Sequence, residues 1–266
     1  MKRTSTVVLD SYRLAQYAQP LSCYICGEDN GFDWVRCRQC QAPLSLAQST
    51  EKRRDVQLIT AVGSPSCGKT TLLGVLMEML ARPGRDIQLR VCNSSSLSLQ
   101  ESVMVLLSQG KFPMPTPDDP KDWDWVHCEL KKGRRTPVDI AIPDLSAGSL
   151  LDEWERPGRH AAVRSSLKQS SGLMLLLDAP RLAEGDRQEE FTALKTLSYL
   201  CELDGHRRRG WPGRPVAIVL TKTDQVPAAT ACPEQFVADM APQFWDLCDG
   251  RLHEKRVFAV SVTPSV

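Results

Sequence analysis

The sequence predicts an α/β fold: a mostly parallel sheet covered by helices on both faces, preceded by a small cysteine-based module. Three observations carry this. From Val56 onward, strand-like apolar runs alternate with helical patterns. Two of those runs, "GLMLLLD" (172–178) and "RPVAIVLT" (214–221), are continuously apolar, as strands buried on both faces are. Finally, four of the ten cysteines fall within the 18 residues "CYICGEDNGFDWVRCRQC", while the other six are scattered singly.

The cysteine segment pairs Cys23 with Cys26 and Cys37 with Cys40. Each CxxC lets two thiolates approach one metal from a tight knuckle, and Gly27 suits the turn after the first. Four thiolates in tetrahedral geometry select zinc. The intervening "GFDWVR" suits a short hairpin, and chelation would fold a module too small to hold itself by apolar burial. This zinc ribbon is assigned to residues 1–48, with a polar, charged linker "QAPLSLAQSTEKRRD" at 41–55. The second domain, 49–266, begins with a strand at 56–62 and a helix at 69–81. A strand at 87–92 and a helix at 99–109 follow. Strands 125–130 and 138–142 pair as a hairpin across "KKGRRTP". After the buried strands at 172–178 and 214–221 come helices at 187–203 and 233–248, and a last strand at 256–262.

The totals exclude several function classes. Lys and Arg number 33 against 32 Asp and Glu, a net charge of +1, which argues against a general nucleic-acid or acidic-membrane binder. The basic clusters "KKGRR" (131–135) and "HRRRG" (206–210) are short enough to be solvated turns. The amino terminus lacks a continuous apolar segment of secretory type, and the longest apolar run, "LMLLL", is too short to span a bilayer. With cysteines arranged for metal rather than for disulfides, a reducing, cytoplasmic setting is expected.

The stretch "TAVGSPSCGKTTLLGVL" carries the chemistry. Gly63, Gly68, Lys69 and Thr70 fit GxxxxGK[ST] between a strand and a helix, the pattern of a P-loop NTPase. The glycines permit a tight loop whose N–H groups face an anion at a helix N-terminus. Lys69 would reach the outer phosphates and the Thr70 hydroxyl would ligate magnesium, with Ser66, Cys67 and Thr71 completing the cradle. Asp144, at the carboxyl end of "VDIAIPDLSAG", is the candidate magnesium carboxylate. Within the proline-rich "GKFPMPTPDDPKDW" (110–123), Thr116 is the candidate second hydroxyl on that ion, with Thr136 its rival. The base is indicated by "VAIVLTKTDQV": Thr221-Lys222-Thr223-Asp224 resembles the [NT]KxD motif of GTPases. A carboxylate there accepts from two guanine donors that adenine lacks. Ser261 and Val262 stand where GTPases often carry a further guanine contact.

In this order, P-loop, switch threonine, strand-end aspartate and TKxD, residues Val56–Ser261 resemble the translation-factor-like and Ras-like class of P-loop GTPases. The helix-containing insertion before Thr116 and the fused ribbon are similar to bacterial double-GTPase-type domains of conflict and defence operons. The resemblance implies GTP or GDP and magnesium as ligands, and Lys69, Thr116 and Asp144 as catalytic residues. It also implies a switch that acts on a protein partner through its switch loops (110–123 and 144–158) or its ribbon. The chain departs from the class in two ways. DxxG would put glycine at 147, where Ala147 precedes Gly148, and no Gln follows to orient water. Asp152, Glu153 or a partner residue would have to serve. Slow intrinsic hydrolysis is therefore expected, with a non-hydrolysing GTP/GDP-binding scaffold as the alternative. An ATP-using enzyme is disfavoured by TKTD. The chain ends after its last strand without the helix that normally covers it, so truncation or a covering partner is expected.

Overall fold

The structure, a computed structural model, describes residues 20–31, 33–45, 56–84, 86–204 and 213–262. The ribbon opens with β1 (Leu21–Ser22) and β2 (Asp29–Asn30), an antiparallel pair. The hairpin therefore encloses the first CxxC and not the "GFDWVR" segment between the pairs. The second CxxC is enclosed in the same way by a single bridge between Arg36 and Pro43. The expected boundary at 48/49 lies outside the described residues, as does most of the 41–55 linker and the basic 206–210 cluster.

Seven strands form the main sheet. They are β3 (Val56–Gly63), β4 (Ile87–Val91), β5 (Trp125–Lys132), β6 (Val138–Pro143), β7 (Gly172–Asp178), β8 (Val216–Thr221) and β9 (Lys255–Ala259), in the order β4-β5-β6-β3-β7-β8-β9. β3 pairs in parallel with β6 and β7, and β8 pairs in parallel with β7 and β9. β5 alone runs against its two neighbours. The expected β5–β6 hairpin is present, with the exposed "KKGRR" segment at its turn.

Two apolar layers flank the sheet, so helices cover both faces as expected. One contains Leu73 and Met77 of α1 (Lys69–Ala81) with Leu99 and Val103 of α2 (Ser94–Ser108). The other gathers α3 (Ala147–Glu155), α4 (Ala161–Gln169), the short α5 (Ala179–Ala183) and α6 (Arg187–Asp204). It also takes in α7 (Pro227–Ala231), α8 (Pro233–Met240) and α9 (Pro242–Arg251). Ile25, Ala42 and Leu44 of the ribbon belong to this second layer, so ribbon and sheet share one continuous core.

Where boundaries differ from expectation, local chemistry explains them. α2 starts at Ser94 because Asn93 caps it, its side chain accepting from the Ser96 N–H at 2.9 Å. The helix expected at 233–248 is two helices. Pro242 cannot continue α8, and Ala241 before it has left the helical region (φ −136°, ψ 62°). Residues after Asp144 are helical in α3 and α4, where only a switch segment was expected. Among the described residues, no helix is long and apolar enough to cross a membrane.

α1 and α2 touch at Gly74, where an added Cβ would lie 2.6 Å from the Val103 Cβ. Gly74→Val should therefore lower unfolding free energy by about 1–3 kcal/mol through overpacking. A urea midpoint unchanged from wild type would contradict this contact.

Candidate functional site

The phosphate loop is shaped by steric demands at its two glycines. Gly63 ends β3 so close to its neighbours that an added Cβ would lie 2.6 Å from the Cys67 Sγ and 2.8 Å from the Leu176 carbonyl oxygen. Gly68, at φ 91°, holds the left-handed turn that releases the chain into α1. Ser66 is also left-handed (φ 63°). The Cys67 N–H closes the loop onto the Ser64 carbonyl at 3.3 Å. The Ser66 and Gly68 N–H groups meet no acceptor among the described residues. The Lys69 Nζ folds back over the loop to the carbonyls of Gly63 (3.2 Å) and Ser64 (3.5 Å). Thr70 and Thr71 follow in the first turn of α1.

Three segments then converge on one carboxylate. Thr70 Oγ1 donates to Asp144 Oδ2 at 2.7 Å, and Thr116 Oγ1 donates to the same oxygen at 2.9 Å. The two hydroxyl oxygens are 3.3 Å apart. Thr136, the rival of Thr116, is exposed in the β5–β6 turn. Asp144 is only 3% exposed, and burial pushes its carboxyl above the ordinary carboxylate value against the two hydroxyl hydrogen bonds and Lys69. Its Oδ1 is buried and finds no hydrogen-bond partner among the described residues. A buried carboxylate with one open oxygen, beside two hydroxyls, is an oxygen-rich setting that fits magnesium. The arrangement is held from behind. The Trp123 Nε1 donates to the Pro117 carbonyl at 2.8 Å, and Asp118 accepts from the Ser146 hydroxyl. Gly148 lacks a Cβ where one would collide with the Asp118 carboxylate.

That packing bears on the departure from DxxG. Ser146 caps α3, and its Oγ accepts from the N–H groups of Gly148 (3.1 Å) and Ser149 (3.4 Å). The Gly148 N–H is thus engaged within the helix start. Of the acids considered for orienting water, Glu153 is sealed inside the core. It accepts from the N–H groups of Gly158 (2.8 Å) and His160 (2.7 Å) and from the Tyr199 hydroxyl, and so braces the turn between α3 and α4. Asp152 pairs with the Arg159 Nε at 2.9 Å and with the His160 Nε2 at 2.8 Å.

At the base loop, Thr221 is buried and its hydroxyl donates to the Leu177 carbonyl (3.2 Å), tying β8 to β7. Lys222 is left-handed (φ 55°) and ion-paired with Asp178. Asp224 is exposed, and the Ser261 hydroxyl donates to its Oδ1 at 2.8 Å. Val262 follows Ser261, half-buried.

Sequence reasoning missed the groups that join these loops. Glu189 of α6 is fully buried. It accepts from the Ser64 hydroxyl, from the Arg181 Nη1 at 2.8 Å and, through its second oxygen, from the Asp178 N–H at 3.3 Å. Arg181 also reaches the Pro65 carbonyl at 3.4 Å. Asp178, at the end of an apolar strand just as Asp144 is, carried a usable signal. Glu189 sits in an ordinary helical pattern and carried none.

In the ribbon, the Sγ atoms of Cys23, Cys26, Cys37 and Cys40 all lie within 4.8 Å of one another, with 3.5 Å between Cys23 and Cys40 and between Cys26 and Cys37. A tetrahedral zinc site with Zn–S near 2.3 Å needs sulfurs about 3.8 Å apart, so the donor set fits zinc. The two knuckles repeat one geometry. The Gly27 N–H bonds the Cys23 carbonyl at 2.9 Å, and the Gln41 N–H bonds that of Cys37 at 3.0 Å, both residues at positive φ. The N–H groups of Ile25 and Gln39 each point at a cysteine sulfur at 3.4 Å. The Cys23 thiol is pulled down to about 5, chiefly by its hydrogen bond from Cys40. We expect one zinc at the ribbon of each chain, lost in Cys37→Ser, with guanine-nucleotide binding retained. Zinc-free wild-type protein, purified without chelator and analysed for elements, would contradict this.

A search of curated proteins gave no match. Among solved structures, a chain of the signal recognition particle receptor SRb-GTP/SRX complex from Chaetomium thermophilum aligns at 16% identity with a TM-score of 0.44. The alignment covers 79% of this chain and 92% of that one. The family model for Double-GTPase 2 matches residues 57–265, from the first residues of β3 to beyond β9 and across every loop described above except the ribbon. The chain therefore belongs to the Double-GTPase 2 family of P-loop GTPases.

Proposed function

We propose that this GTP-binding domain is a magnesium-dependent GTPase switch that acts on a partner protein. The observation that carries the reading is the meeting of Thr70, Thr116 and Asp144. Each comes from a different segment, and the carboxylate keeps a buried oxygen open toward a cation. In this reading these three residues hold magnesium, which supplies charge neutralisation at the phosphates. Lys69 adds positive charge on the transferring phosphoryl group, and the N–H groups of Ser66 and Gly68 hold phosphate oxygens. Asp224 accepts from the guanine edge, with Ser261 steadying its carboxylate, and the Lys222 stem lies along the base.

Because Thr116 lies in the loop 110–123, the metal site and the partner-facing surface share one segment. Phe112 and Met114, just before Thr116, are 64% and 83% exposed, apolar side chains on offer to a partner. A change at the terminal phosphate would reach them through Thr116 and the Asp118–Ser146 contact. We assign residues 1–48 to the zinc ribbon and 49–266 to the GTPase domain, with the ribbon as a second docking element. The resemblance to conflict-system GTPases supports a defence role, and the clustered thiols support a reducing, cytoplasmic setting.

The second reading, a scaffold that binds GTP or GDP without turning it over, is favoured by two observations. The Gly148 N–H is engaged by Ser146, and Glu153 is sealed in the core, so neither reaches a terminal phosphate or its water. We expect slow magnesium-dependent phosphate release by the isolated protein, abolished in Lys69→Ala. It should be strongly weakened in Thr116→Ala and unchanged in Thr136→Ala. Absence of any release despite tight GTP binding would establish the scaffold instead. Asp224→Asn should weaken GDP binding about tenfold or more, since roughly 1–3 kcal/mol is lost when buried donors are left unpaired. Calorimetry showing equal wild-type affinity for ATP and GTP would refute the base assignment.

A further inference from the structure

A second group of metal-binding side chains stands away from both the nucleotide loops and the ribbon. Cys92 lies just beyond β4, His127 in β5 and Asp139 near the start of β6. The Cys92 N–H bonds the His127 carbonyl at 2.9 Å, which sets those residues opposite one another across the β4–β5 ladder. Within the β5–β6 register, His127 faces Ala141 and Glu129 faces Asp139, so Asp139 is the diagonal neighbour of His127 on the same face. One ligand atom from each of Cys92, His127 and Asp139 lies within 4.8 Å of the other two. The rigid ladder, rather than a loop, fixes their spacing. Asp139 is five residues from Asp144, about 16 Å along the strand direction, so the group is distinct from the phosphate site.

A chance meeting of polar side chains would leave each of them otherwise satisfied. His127 is not: it is 5% exposed, and its Nε2 is buried with no hydrogen-bond partner among the described residues. A buried imidazole nitrogen without a partner costs free energy that a ligand bond would recover. Nearby Glu129 is ion-paired with Arg90 at 3.4 Å. The Cys92 Sγ makes one weak contact, 3.5 Å to the Arg90 carbonyl, and Cys92 is exposed, so an ion could enter from its side. One sulfur, one nitrogen and one oxygen donor suit zinc with a fourth position open to water.

We propose that Cys92, His127 and Asp139 form a second zinc site, on the β4–β5–β6 edge of the sheet. The test uses the full chain with its ribbon zinc in place, in saturating magnesium and GDP so that the phosphate site is filled. Zinc chloride is then added and iodoacetamide labelling is followed by peptide mass spectrometry. Cys92 and Cys232 are both exposed thiols, so Cys232 serves as the internal reference. Added zinc should slow labelling at Cys92 at least tenfold and leave Cys232 unchanged. In equilibrium dialysis, wild type should hold one zinc more than Cys92→Ser or Asp139→Asn, each checked for unchanged GDP binding. Equal labelling of both cysteines with and without zinc would overturn the proposal. So would a second equivalent that survives both substitutions.

Discussion

A carboxylate that is almost fully withdrawn from water organises the nucleotide end of this protein. Asp144 directly follows β6 in a position where its charge is costly, and two hydroxyls from distant segments share one of its oxygens. The second oxygen has no partner among the described residues, and in the proposed reading magnesium completes the cluster. Much of the local architecture serves that meeting. β3 delivers the phosphate loop and Thr70. Trp123 pins the proline-rich loop so that Thr116 arrives, and Asp118 locks that loop against the start of α3. Because the same contacts fix α3, a displacement of the Thr116 loop is mechanically connected to the segment after Asp144.

A second polar network runs along the carboxyl ends of the central strands. Glu189 sits beneath the phosphate loop and binds Ser64, while Arg181 spans Glu189 and the Pro65 carbonyl. Asp178 of β7 holds Lys222, and its N–H donates to Glu189. Phosphate loop and base loop are therefore joined by buried, charge-assisted hydrogen bonds instead of by packing alone. Such a network constrains the two halves of the nucleotide site relative to each other.

The ribbon is more than an appendage. Its Ile25, Ala42 and Leu44 are buried in the same apolar layer as Val56, Leu58 and Ala141 of the sheet. A module too small to form its own core borrows one face from the larger domain, and four thiols close the other. Unfolding of the ribbon would thus expose apolar surface on the GTPase domain.

The sequence by itself determined several features that depend on short-range spacing. Strand, GxxxxGK[ST] loop and helix at 56–81, the aspartate at the end of a buried strand, the TKTD turn and the paired CxxC knuckles are all patterns in which a few neighbouring residues dictate the geometry. The parallel sheet followed from the same logic, because doubly buried strands must be uniformly apolar. Tertiary structure alone decided what distant segments do to one another. It brought Thr116, 46 residues from Thr70, onto Asp144 and left Thr136 in a solvent-facing turn. It sealed Glu153 in the core, placed Glu189 under the phosphate loop, and aligned Cys92, His127 and Asp139 across three strands. None of these follows from local pattern. A side chain's exposure and partners are set by which elements the folded sheet places beside it, and that depends on burial summed over the whole chain.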